Sequence, residues 1–70
     1  MHKFRIVEAP DNMPEKVYPE FESDELHAKI EAERVCRETH SMVFLERDAG
    51  NGFKRANRRY VWWLDHVCFY

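Results

Sequence analysis

The run Phe53-Lys54-Arg55-Ala56-Asn57-Arg58-Arg59-Tyr60-Val61-Trp62-Trp63-Leu64 reads as β-structure. Tyr60 to Leu64 are aromatic or large aliphatic residues that suit a pleated, half-buried surface, so they form a strand. Phe53 to Ala56 form another, and Asn57-Arg58 is either a tight turn between them or a bulge in one continuing strand. Successive side chains of a strand point to opposite faces. Trp62 and Trp63 therefore cannot share one core, and unless the tail or the upstream proline segment covers it, one large ring stands on the solvent face.

Upstream, Asp48-Ala49-Gly50-Asn51-Gly52 turns the chain, since Gly50, Asn51 and Gly52 all tolerate positive φ. Met42-Val43-Phe44-Leu45 before it is a strand of large apolar residues. A helix is expected from Ser23-Asp24-Glu25 to about Thr39. The Ser23 hydroxyl can cap an early amide, and the two acids sit at the positive end of the helix dipole. Glu25–Lys29 and Glu33–Arg37 have the favourable i,i+4 orientation. Ala28, Ala32, Val35 and Cys36 form one apolar stripe with Leu26 and Ile30 on its edge, while His27, Glu31, Arg34 and Glu38 face solvent. The small alanines imply close approach to a sheet. Three prolines between Pro10 and Pro19 make a stiff, irregular connection and exclude a helix there. Val17-Tyr18 and Phe21 are apolar points that pack this connection down. Residues 3–9 alternate, Phe4 and Ile6 one way and Lys3 and Arg5 the other, as a half-buried strand does.

These elements give an α+β fold: one helix on one face of a three- to four-stranded antiparallel sheet, in the order β-α-β-β(-β). Seventy residues make one domain, 1–70, whose core is small. Hydrophobic residues at 44% and aromatics at 14% are ample for that core, and the mixed charge is not that of a disordered chain. No apolar run approaches the ~20 residues of a membrane span. The basic start Met1-His2-Lys3-Phe4-Arg5 lacks the apolar stretch of a signal peptide. A cytoplasmic location is the expectation, with Cys36 and Cys68 expected as free thiols. The net charge of −2 hides a polarity: the first forty residues carry ten acids and six bases, and the last thirty carry three acids and five bases.

Four arrangements could carry chemistry. Lys54, Arg55, Arg58 and Arg59, with Arg47 nearby, lie among Phe53, Tyr60, Trp62 and Trp63. That mixture suits phosphate contact with base stacking, or the aromatic and arginine anchors of a protein interface. In the plainer reading the rings are core and the arginines keep the exposed face soluble. Cys36, His40, His66 and Cys68 would make a Cys₂His₂ set, but Cys-x-x-x-His followed by His-x-Cys is not a familiar zinc spacing. Cys36 also lies in the apolar stripe, where cysteine acts as a small hydrophobe. A Cys36–Cys68 disulfide does not suit a reducing compartment. Cys36–His40 could meet on a helix face as nucleophile and base, yet nothing suggests an oxyanion hole, a Gly-rich phosphate loop or paired carboxylates. Glu15, Glu20, Glu22, Asp24 and Glu25 could imitate a nucleic-acid backbone, although acids are expected beside a helix N-terminus anyway.

The layout resembles compact β-α-β-β anti-CRISPR proteins, small phage-encoded inhibitors of type I surveillance complexes. The likeness lies in the first strand Lys3-Phe4-Arg5-Ile6-Val7-Glu8 and the acid-started helix Glu22-Ser23-Asp24-Glu25-Leu26. It continues through Met42-Val43-Phe44-Leu45-Glu46-Arg47, the Asn51-Gly52 turn and Arg59-Tyr60-Val61-Trp62. It spans most of the chain as a pattern of element types, one that inhibitors of bacterial RNA polymerase share. The proline-rich segment and the Trp62-Trp63 pair depart from it. The resemblance implies a phage or mobile-element protein that occludes a nucleic-acid-binding surface on a host complex. The expectation is thus a non-catalytic protein-binding inhibitor without cofactor or metal, a monomer or homodimer. Its partner-binding residues are Arg47, Lys54, Arg55, Arg58, Arg59 and whichever of Trp62 and Trp63 is outside. The alternatives are a nucleic-acid-binding module built on the same strands, or an inhibitor of RNA polymerase.

Overall fold

Alternation in the first residues does form a strand, β1 (His2–Ala9). In the computed structural model the described residues are 1–70, excepting the side chains of residues 56–58. Phe4 and Ile6 are buried on one face of β1, and Val7 is buried on the other. The proline-rich segment is more regular than its composition suggests. It holds two short strands, β2 (Lys16–Val17) and β3 (Phe21–Ser23), which pair antiparallel with the two halves of β1. Tyr18 and Phe21 pack against the core as expected. The Tyr18 amide donates to the Ile6 carbonyl (2.9 Å), and its hydroxyl donates to Glu8 (2.9 Å).

The helix α1 (Glu25–Thr39) ends where the sequence places it but is capped one residue later than expected. Asp24, not Ser23, is the cap: its carboxylate accepts from the His27 amide at 2.7 Å, while the Ser23 hydroxyl donates to the Asp24 carbonyl. The His27 amide and then its ring hold the Asp24 carboxyl below its usual range. Ala28, Ala32, Val35 and Cys36 form the buried stripe, and Leu26 and Ile30 are exposed. The outer face carries Lys29–Glu25 and Arg37–Glu33, with Arg34 between Glu31 and Glu38. His40 closes the helix in the left-handed region (φ 57°), its amide bonded to the Cys36 carbonyl.

From there β4 (Met42–Asp48), β5 (Phe53–Trp63) and β6 (His66–Phe69) follow. All strands join one antiparallel sheet in the order β2-β1-β4-β5-β6, with β3 beside β2 on the same flank of β1. The class is the expected α+β, one helix on an antiparallel sheet, but the sheet has six strands in place of three or four. The expected strands at 53–56 and 60–64 are one long strand, whose register against β4 shifts between Phe44 and Glu46. The residues beyond Leu64, expected as a tail, form β6. They return through Leu64-Asp65, both at positive φ (51° and 63°), a conformation typical of a two-residue hairpin. Helix and sheet enclose one core of Phe4, Ile6, Ala28, Ala32, Val35, Cys36, Val43, Leu45 and Tyr60.

Candidate functional site

Cross-strand partners share a face, so the register sorts the side chains of the sheet. Val43 pairs with Tyr60, Tyr60 with Phe69, and Trp62 with Val67, and this set looks toward the helix. Phe44–Arg59, Val61–Cys68 and Trp63–His66 look the other way, onto a face the helix does not cover. The two tryptophans are on opposite faces, as alternation requires. Trp62 is half-buried, its ring stacked on that of His40 at 4.2 Å and 6° between planes. Trp63 is the outward ring, 59% exposed.

The open face has two regions of different character. Across β1, β4 and β5, charge is locked internally. Glu46 is buried to 8% side-chain exposure and accepts from Arg5 Nε at 2.6 Å and from Arg55 Nε at 2.9 Å. Arg55 also reaches Glu15, from the proline-rich segment, at 3.1 Å. Arg5 lies over the Phe53 ring (4.4 Å) and Arg55 over the Phe44 ring (4.0 Å). Burial pushes the Glu46 carboxyl up, but the hydrogen bonds from Arg55 and Arg5 outweigh it and hold the group below its ordinary range. Two guanidinium groups and two carboxylates thus neutralise one another.

Across β5 and β6 the character changes. Arg59 is exposed, with its guanidinium 5.7 Å from the centre of the Tyr70 ring, and Tyr70 is 62% exposed. Val61 and Cys68 lie half-buried between that pair and Trp63, and His66 stands across from Trp63. Arginine and aromatic groups around a small apolar centre make the composition of a binding hot spot. A patch so built can grip a surface that offers a carboxylate and an apolar pocket.

The expected binding residues therefore divide. Arg59 and Trp63 lie together on this patch, whereas Arg55 is engaged within the fold. Arg47 and Lys54 are exposed and pair with each other on the opposite face, since Arg47 pairs with Phe4 on its other side. The side chain of Arg58 lies outside the described residues. Trp62 is packed on the end of the helix. His66, Cys68 and Tyr70 belong to the patch without a place among the expected residues; their alternation against Val67 and Phe69 is the signal that places them. Cys36 and Cys68 are free thiols, and burial pushes the Cys36 thiol up. Among the described residues no three His, Cys, Asp or Glu side chains converge as metal ligands, and no helix is long and apolar enough to cross a membrane. A groove of about 420 Å³ separates α1 from β3, over Ile6, Tyr18, Phe21 and Val35.

The fold defines the chain as an α+β protein with one helix on an antiparallel sheet. No family model, curated protein or solved structure matches it.

Proposed function

We propose that this chain is a small, non-catalytic binding protein of phage or mobile-element origin. It acts in the host cytoplasm by occluding a nucleic-acid-binding surface of a host complex, such as a CRISPR surveillance complex. The observation that carries the binding role is the open face of the β5–β6 hairpin, where Trp63, Arg59 and Tyr70 stand exposed together. The choice of host target rests on the resemblance to anti-CRISPR proteins. A protein partner is favoured over direct nucleic-acid binding by the distribution of cations. Arg5 and Arg55 are neutralised by Glu46 and Glu15, and Arg47 and Lys54 are on the other face. A backbone-tracking groove needs several uncompensated cations along one path. No cofactor enters this reading.

The test is a target-DNA gel shift with a purified type I surveillance complex and increasing amounts of this protein. The expected result is loss of DNA binding by the complex, with Trp63→Ala and Arg59→Ala each weakening the inhibition about tenfold or more, the size of a hot-spot truncation. Unchanged thermal stability of both variants separates a binding defect from misfolding. Inhibition that survives both substitutions removes the patch from the mechanism. Salt-sensitive binding of this protein to DNA or RNA alone would favour the nucleic-acid module instead.

A further inference from the structure

We infer that the outer edge of β6 pairs antiparallel with β6 of a second copy, across a two-fold axis that passes at Cys68. The inference stands on the geometry of the edge and is independent of the host target proposed above. Arg59 and Tyr70 exchange both backbone hydrogen bonds, at 2.9 and 3.0 Å, so the backbone groups of Tyr70 point toward β5. Direction alternates along an antiparallel ladder. The N–H and C=O of Cys68 and His66 therefore also point toward β5, and those of Val67 and Phe69 are directed outward. β6 is the terminal strand of the sheet order, with β5 on its inner side.

The two edges of this sheet are built differently. The β2–β3 edge is broken into two short strands among Pro14, Lys16, Pro19, Glu20 and Glu22, which are devices that discourage strand addition. The β6 edge, His66-Val67-Cys68-Phe69, carries no Asp, Glu, Lys, Arg or Pro. A second copy fits this edge in one register better than in others. Centring the two-fold on Cys68 sets Val67 of each copy against Phe69 of the other, so every outward-directed backbone group of the strand falls within the ladder. Shifting the centre to Val67 sets Phe69 against Asp65, which belongs to the hairpin turn and is held at positive φ. In the Cys68 register the apolar Val67 and Phe69 meet on the helix side, and His66 meets Tyr70 on the open side. The acidic Asp65 turn of each copy also comes to the Arg59 end of the other, a complementary contact made twice. The two Trp63–Arg59–Tyr70 patches then lie on one continuous open face. The strip is shorter than the ~800 Å² per partner of a standard interface, so dimerisation is expected to depend on concentration.

The register makes a covalent signature available. Cys68 faces its own copy as a non-hydrogen-bonded pair, for which Cα atoms are about 4.5 Å apart, within the range a disulfide bridges. Treating the purified protein with diamide should join two Cys68 thiols, which lose two protons and two electrons to the reagent. The expected product is a dimer of twice 8.5 kDa, linked through Cys68 in peptide mapping, while buried Cys36 stays unlinked. Sedimentation over a roughly hundredfold concentration range should show the reduced protein moving from monomer toward dimer, as mass action requires. Cys68→Ser should keep that reversible association and lose the crosslink. Cys68→Lys, which sets two ammonium groups at the axis from a half-buried open-face position, should be monomeric throughout with an unchanged circular dichroism spectrum. A reduced protein that stays at 8.5 kDa throughout and gives no Cys68 crosslink overturns the inference, as does association undiminished in folded Cys68→Lys.

Discussion

Replacing Glu46 by Gln isolates the interaction that ties the open face together. Glu46 sits at 8% side-chain exposure between Arg5 and Arg55, at 2.6 and 2.9 Å. Each charge-assisted hydrogen bond is worth about 1.5–3 kcal/mol when shielded. Their sum is an upper bound here, because Arg5 and Arg55 are 32% and 41% exposed and recover water once the carboxylate is gone. The glutamine also keeps one carbonyl acceptor but turns an amide donor toward a guanidinium group. A net loss of about 2 kcal/mol is expected near neutral pH, which for a domain of this size lowers Tm by roughly 8–16 °C.

The pH dependence gives the sharper test. The folded Glu46 carboxyl lies below its ordinary value of 4.5, so its contribution is complete above that value and is lost as pH falls through the lower folded value. Glutamine does not titrate. The stability gap between the two proteins, followed by urea unfolding at a series of pH values, should be widest near neutrality and should close in acid. A gap under about 0.5 kcal/mol at neutrality, the ordinary scatter of surface substitutions, would refute the network as a stabilising element. A gap of constant size down the acid limb would refute the assignment of the charge.

Three further outcomes follow from single features. Leu64 and Asp65 both occupy the left-handed region, which costs an ordinary residue about 1–2 kcal/mol, and Leu64 is 75% exposed. Leu64→Asn with Asp65→Gly should stabilise the protein by about 1 kcal/mol, raising Tm by roughly 4–8 °C; a fall in Tm would count against the hairpin. Ala32 is fully buried in the stripe of α1, so Ala32→Leu should destabilise by about 1–3 kcal/mol through overpacking, read by denaturant titration. Cys68 should react with a thiol reagent in the native monomer and Cys36 only on unfolding; equal native rates would contradict the burial of Cys36.

Much of this arrangement was legible in the chain, and the misses have physical causes. The helix was readable because its caps, ion pairs and alanine stripe all agree, and only the choice between two adjacent capping residues went astray. Ser23 and Asp24 are both good caps, and the position of the first helical turn decides between them. The strands β2 and β3 escaped because two- and three-residue strands have no period to read. Their hydrogen bonds come from the length of β1, which has room for both along one edge. The strand β6 escaped because Leu64-Asp65 is not an Asn-Gly type of turn, so the return of the chain had no local signal. Of the patch, the opposition of Trp62 and Trp63 was certain from alternation. Which ring faced outward was not, since that depends on where the end of α1 places His40. The engagement of Arg55 was also hidden, because Glu15 and Glu46 are forty and nine residues away from it.

The register shift in β5 leaves both parts of the strand facing the same way. Partners two apart on β4, Phe44 and Glu46, meet residues four apart on β5, Arg59 and Arg55. The slip is even, and with a side-chain period of two an even slip leaves each residue on its original face, whereas an odd one would exchange the faces. Arg55 before the shift and Arg59 after it therefore both look onto the open face, and Tyr60 and Trp62 stay against the helix. Had the slip been odd, Trp63 and Arg59 would have turned toward the core and Tyr60 toward water, with no partner in the core for the arginine. The shift sets Arg59 opposite Phe44, two β4 residues from Glu46, where the unshifted register would set it opposite Met42. The first part of the strand has its guanidinium group held by carboxylates, and the second part presents Arg59 beside Tyr70 and Trp63. The four-residue spacing of these two arginines keeps both on the open face. Arg55 serves the buried carboxylate, and Arg59, on the same face but past the shift, serves the exposed patch.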